Sequence, residues 1–301
     1  MHVYEENQER LSRVFRRMQE RVAGLPGELR GQGEAFLLWA GPGYFSQPDA
    51  APLMHLPLWM PHQVSTDVQL DLLEATALAY AYVRIQDNVI DEPGTRGNPP
   101  MLLLGNVLLW DALDLWRRHT DARFEPLARR AWVTFSEFTE VERRQLLRAD
   151  GYDAEAFGHH ARKCAMAEVP LYAVMSASGD WMGVGAVAEL VHRLAQSYGC
   201  VNDVLGWERD LASGANTYLL SQARELAGPG AALSEVGNAL VASPILEDML
   251  TAADVHLHGC LEPARELGLR RFEAFAVARR ARLQELRSRA SLLRLAHLLA
   301  G

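Results

Sequence analysis

Two aspartates, Asp87 and Asp91, stand four residues apart in VRIQDNVIDEPGTRGNPP (83–100), within an apolar helical pattern that stops at a Pro-Gly pair. On a helix they share one face, and two anions one turn apart repel each other. Mg2+ would relieve that repulsion, because it takes oxygen ligands in octahedral geometry from one or two carboxylates, waters and the phosphate oxygens of a substrate. The plainer reading is a salt bridge to Arg84 or Arg96, since buried carboxylates need partners. A second oxygen-bearing face lies in SYGCVNDVLGWERDLASGANTYLL (197–220), where Asn202, Gly206 and Asp210 recur at i, i+4 and i+8 above Gly199 and Ala195, with Tyr198 beside them. Small residues on a helix face allow either close packing or a cavity, and a cavity for an apolar ligand fits the pattern. Read as an ordinary helix end, the segment accounts for Ser213 and Gly214. It does not account for Asn202 and Asp203, poor helix formers in mid-helix among apolar residues.

Cations that could meet an anionic ligand lie in HHARKCAMAEVPLYAVM, where Arg162 and Lys163 are adjacent. Arginine matches phosphate oxygens well, although a basic pair on a solvated surface reads the same way. Pro170 follows in the same pattern. Inside a helix it would kink the chain and turn the carbonyls of Met166 and Ala167 out of the hydrogen-bond ladder, where they could stabilise a carbocation beside an apolar cavity. His159 and His160 are neighbours in sequence and so point about 100° apart on a helix; they read as ordinary residues. Tyr80, two turns below Asp87, could present an aromatic face to a cation or simply fill the core.

The elements that must carry these residues are helical nearly throughout. Apolar stripes run over about 6–23, 66–92, 100–118, 122–148, 152–178, 182–212, 231–242, 244–265 and 270–299, with Gly- and Pro-rich breaks between them and no sustained strand alternation. This predicts one all-α domain over 1–301, about ten helices around a central apolar cavity, with 1–60 as an outer helical layer. A chain of 301 residues that is 49% hydrophobic can bury such a core. The net charge of −8 argues against general nucleic-acid binding. Three cysteines without a CxxC pair suit a reducing compartment rather than a disulfide framework. No signal peptide or bilayer-spanning run is visible, so the expected location is cytoplasmic, without stable membrane insertion. The arginines of the last helix could face a membrane or an anionic partner, but a solvated helix face is the preferred reading.

The motifs resemble those of a known superfamily. Class I terpene synthases carry DDxxD on one helix and NDxx(S/T)xxxE on a facing one. DNVID resembles the first, with Asn88 in place of the second Asp. NDVLGWERD resembles the second: Asn202 and Asp203 match, Gly206 stands where a hydroxyl residue is usual, Asp210 replaces Glu, and Arg209 takes the basic position. QDNVIDEPGTRGNPP followed by GNVLLWDAL, and the helix bearing ARKCAMAEVP, are similar to stretches of the trans-isoprenyl diphosphate synthases. The resemblance covers about residues 65 to 220.

It implies an enzyme in which Asp87, Asp91, Asn202 and Asp210 hold up to three Mg2+, while Arg162, Lys163 and Arg209 clamp the diphosphate of an allylic prenyl substrate. Ionisation would release diphosphate, and an apolar pocket would fold and cyclise the cation. The superfamily often forms homodimers, which the resemblance implies here too. Three departures stand out. No Gly-Gly-Lys-Arg type motif for isopentenyl diphosphate is present, and the region reads PLMHLPLWMPHQ. Gly206 offers no side-chain oxygen. The paired Arg-Tyr of many terpene synthases is missing, with Arg270, Arg271, Arg279 and Arg280 as substitutes that no pattern separates. Two alternatives stay open: a prenyltransferase acting on a non-isoprenoid acceptor, and a non-catalytic helical protein that keeps a decayed site.

Overall fold

Long stretches of apolar residues at helical spacing leave the backbone little choice but to satisfy its own hydrogen bonds in helices. In the computed structural model, which describes residues 2–46, 52–61, 64–91, 100–146 and 152–300, the elements among the described residues are all helical. They are α1 (His2–Ala23), α2 (Gly27–Ser46), α3 (Pro52–Trp59), α4 (Thr66–Asp91), α5 (Met101–Arg117), α6 (Phe124–Leu146), α7 (Ala154–His160), a 3-10 segment (Ala161–Glu168), α8 (Val169–Ser178), α9 (Val184–Ser213), α10 (Tyr218–Ala227), α11 (Leu233–Ala242), α12 (Ile245–Gly259), α13 (Leu261–Glu266) and α14 (Phe272–Ala300). The all-α expectation is met. Two compact units result: Met1–Arg129 with Ala167–Val184 and Leu267–Arg271, and Arg130–Met166 with Gly185–Glu266 and Phe272–Gly301.

In the first unit α4 is the central element, packed by α1, α3, α5 and α8. Its residues from Leu72 to Ala79 are buried without interruption, so the helix is enclosed on several sides, as its apolar sequence requires. α1 packs onto it and onto α2, burying Leu11, Val14, Phe15, Met18 and Val22. An ion-pair network crosses the same interface. Arg17 reaches Asp71 at 2.7 Å and Glu74 at 3.3 Å, Arg21 reaches Glu74 at 2.7 Å and Asp111 at 3.3 Å, and His119 meets Asp71 at 2.8 Å. In the second unit α12 and α11 pack on α14, and α10 packs on α11 and α12.

The structure differs from the sequence reading in specific places. α2, α3 and α10 carry no stripe that reading had used. α3 buries Met54, His55, Leu56 and Pro57 in succession, and an element enclosed on all sides shows no period. The stretch 152–178 is not one helix but α7, the 3-10 segment and α8. Pro170 therefore does not kink a helix from within. It lies in the first turn of α8, where its missing N–H is no loss. α8 then stops at Gly179, which takes φ 72° and donates to the Met175 and Ser176 carbonyls.

Candidate active site

On α4, Asp87 sits one turn before the helix end with its side chain 38% exposed, and Arg84 one turn earlier pairs with it. The salt bridge set against the metal reading is thus present. Tyr80 lies two turns below Asp87 and is half-buried. Asp91 is the last residue of α4; its side chain, like Arg96, lies outside the described residues. The end of a helix is its negative pole, and carboxylates there raise the local demand for a cation.

On α9, Asn202 is exposed. Asp210 is only 16% exposed, folds back toward Gly206, and pairs with the 82% exposed Arg209 at 3.0 Å. A Cβ at Gly206 would meet the Asp210 Oδ2 and the Arg209 Nη2 at 3.1 Å. Glycine here gives that carboxylate its room, which explains in packing terms why the hydroxyl of the resembling motif is absent. The helix closes with Gly214 at φ 75° and a hydrogen bond from Ala215 N to the Asp210 carbonyl of 2.9 Å.

Asp203, which matches the second acidic motif in sequence, is the most perturbed carboxyl of this region. Burial pushes it up to about 7; Asp210 and Glu142 add to the rise, while the Leu219 backbone N–H and Lys163 oppose it. That N–H belongs to the first turn of α10, whose Thr217 cap accepts from Leu220 N at 3.3 Å. Lys163 donates to both Glu142 oxygens at 2.6 Å. Arg162 instead lies over the Phe138 ring, 5.5 Å from its centroid. The two adjacent cations thus separate, and their partners, Phe138 and Glu142, are one turn apart on α6.

The small-residue face beneath Asn202 is closed where the cavity reading would leave it open. A Cβ at Gly199 would meet the Phe157 ring at 3.2 Å, so this glycine serves close packing. Phe157 stacks on Tyr218 with ring centroids 5.1 Å apart, Tyr152 meets Tyr218 edge-on, and the Tyr152 hydroxyl bonds His160 Nδ1. His160 is therefore not an ordinary surface residue: burial holds its ring below the usual histidine range, against the pull of Glu142. On the neighbouring face, the Arg279 guanidinium lies 3.5 Å from the Tyr198 centroid and is buried. Sequence reading had no basis for choosing Arg279 among the four C-terminal arginines.

The residues expected to act together are distributed as follows. Asp87, Tyr80 and Ala167 belong to the first unit; Arg162, Lys163, Met166, Asn202, Arg209 and Asp210 belong to the second. Met166 and Ala167 are both buried, at the end of the 3-10 segment. Among the described residues no three His, Cys, Asp or Glu side chains are grouped so as to hold a metal ion.

No family model matches the chain, and no curated protein matches it in sequence. Solved structures do match it. The polyprenyl synthase from Caulobacter crescentus CB15, complexed with calcium and isoprenyl diphosphate, is 16% identical with a TM-score of 0.72 over 92% of this chain and 97% of its own. The heptaprenyl diphosphate synthase from Staphylococcus aureus is 15% identical, TM-score 0.69, over 93% and 97%. The geranylgeranyl pyrophosphate synthase from Corynebacterium glutamicum, complexed with isoprenyl diphosphate and magnesium, is 16% identical, TM-score 0.66, over 96% and 98%. At these identities the likeness is one of fold.

Proposed function

We propose, on the premise that the chain has the all-α fold of the class I isoprenoid synthases, that it ionises a single allylic prenyl diphosphate and cyclises the resulting cation, as a Mg2+-dependent terpene synthase. The observation that carries this reading over chain elongation is a gap in the cations. Between Arg30 and Arg84 the sequence holds no Lys or Arg, and α3, within that gap, turns Met54, His55 and Leu56 into the core. Elongation binds two diphosphates, and a second one would find no cationic donor in this stretch. Ionisation needs only one.

The donors fit a magnesium ion by chemistry. Asp87, Asp91, Asn202 and Asp210 offer hard oxygens. When bound, the ion would neutralise charge growing on the departing diphosphate. Asp87, released from Arg84, and Asp91 are assigned one ligating role; Asn202 and Asp210 are assigned the other. Arg162 and Arg209, both exposed, meet diphosphate oxygens, and Lys163 joins them by leaving Glu142. Tyr80 and the buried side chains of Met166 and Ala167 are assigned to apolar lining that excludes water. The three cysteines are free thiols, which agrees with a cytoplasmic place of work, and no helix among the described residues is long and apolar enough to cross a membrane.

The test is incubation with Mg2+ and prenyl diphosphates of graded length, from geranyl upward, followed by product analysis. Cyclic hydrocarbon or alcohol with released diphosphate, unchanged by added isopentenyl diphosphate, supports the reading. Longer prenyl diphosphates formed only when isopentenyl diphosphate is present would overturn it in favour of elongation. Release that requires an added acceptor would overturn it in favour of prenyl transfer.

A further inference from the structure

The last three turns of α14 invert the usual pattern of a surface helix. Its core side is made by Leu283, Leu286 and Ala290, all buried. On the opposite side Leu292, Leu295 and Leu299 recur at i, i+3 and i+7 with Leu298 beside them, and they are 66%, 53%, 79% and 59% exposed. Four leucines turned to solvent on one face form a patch that calls for a partner. Exposed Arg287 and Arg289 flank that face on either side. Arg294 ties the same turns to α12 through Glu247 at 3.1 Å, so the leucines are held outward by the fold.

Charge decides between occupants. Beyond Glu285, α14 carries Arg287, Arg289 and Arg294 and no acid, in a chain whose net charge is −8; Arg289 also meets Glu285, and Arg294 meets Glu247. The turns that bear the leucines are thus basic in an acidic molecule. A second copy docking face to face would bring arginine rims against arginine rims, because an isologous contact sets the same patch against itself. An anionic bilayer surface meets both features at once: leucines enter the boundary between headgroups and acyl chains, and arginines meet the lipid phosphates. We propose that the end of α14 docks the protein reversibly on an anionic membrane surface. The inference stands on α14 alone and does not depend on the reaction proposed above.

The full chain is sedimented with phosphatidylcholine vesicles, with and without phosphatidylglycerol. It should partition to the anionic vesicles and come off as salt is raised. Leu292→Glu/Leu295→Glu/Leu299→Glu should abolish binding, and Arg287→Glu/Arg289→Glu should weaken it roughly tenfold or more. Circular dichroism checks that the leucine variant keeps its helices, and Val277→Glu, exposed on the same helix but away from its end, should bind as the unmodified chain does. Binding no stronger with phosphatidylglycerol than without, or unchanged in the leucine variant, would overturn the proposal. So would a concentration-dependent dimer that the leucine variant abolishes in a chain that ignores vesicles, which would assign the face to a second copy.

Discussion

Two groups of acidic side chains in this molecule have opposite fates. Asp71 and Glu74 on α4 meet Arg17, Arg21 and His119 at hydrogen-bond distance. Burial alone would raise the Asp71 carboxyl, but hydrogen bonds from His119 and Arg17 outweigh it and hold the group below its ordinary range. Asp203, Asp210 and Glu142 are anions gathered around fewer cations, and burial with that crowding pushes Asp203 up to about 7. The first group is neutralised by the chain and reads as structure. In the second, Arg209 and Lys163 meet Asp210 and Glu142, while Asp203 takes a backbone N–H and is held toward its neutral form, which marks it as a perturbed group of the kind found at functional sites.

The largest effect that tests this contrast is on activity. Asp210→Ala should lower Mg2+-dependent diphosphate release by about 100- to 1000-fold while circular dichroism is unchanged; an active variant would remove the functional half of the comparison. The structural half predicts the reverse for Glu74→Ala. With Arg17 left to Asp71 and Arg21 to Asp111 across a half-buried interface, unfolding by denaturant should show a loss of about 2 kcal/mol. A loss below about 1 kcal/mol would mean that the network is ornamental.

pH separates the two groups by sign. Asp71 has a depressed folded-state pKa, so its contribution is present above the unfolded value and is lost as pH falls through the folded one. Asp203 has a raised one, so in metal-free buffer stability falls as pH rises from the ordinary carboxylate range toward about 7. Asp71→Asn should flatten the acid limb of a melting-temperature profile, and Asp203→Asn the limb between that range and neutrality. Identical profiles for both variants would break the comparison. The smallest effect is expected from Gly206→Ser. The atoms its Cβ would crowd are the flexible ends of Arg209 and Asp210, so stability should change by less than about 1 kcal/mol. If the hydroxyl joins the ligands, half-saturation in Mg2+ falls.

How much of this was legible in sequence depends on whether the signal was local. α4, α9 and α14 announce themselves because apolar residues recur at helical spacing over many turns. The Arg84–Asp87 pair is one of the two the sequence offers, Arg96 being the other, and residues three apart on a helix are neighbours. α3 was invisible for the opposite reason, since enclosure on every side erases the period. Lys163 pairs with Glu142, twenty-one residues away, and Phe157 fills the face of Gly199; no spacing rule reaches across such separations. Asp203 is visible in sequence as a motif match and a poor helix former, but its burial and the α10 backbone N–H set against its carboxylate are not.

The 3-10 segment between α7 and α8 has a mechanical consequence. Its tight winding splays Arg162 and Lys163, and each lands on a different rung of α6, over Phe138 and Glu142. Both positive charges are therefore geared to one shaft. A substitution at Glu142 would thus loosen one of these charges and leave the other held, and a substitution at Phe138 the reverse.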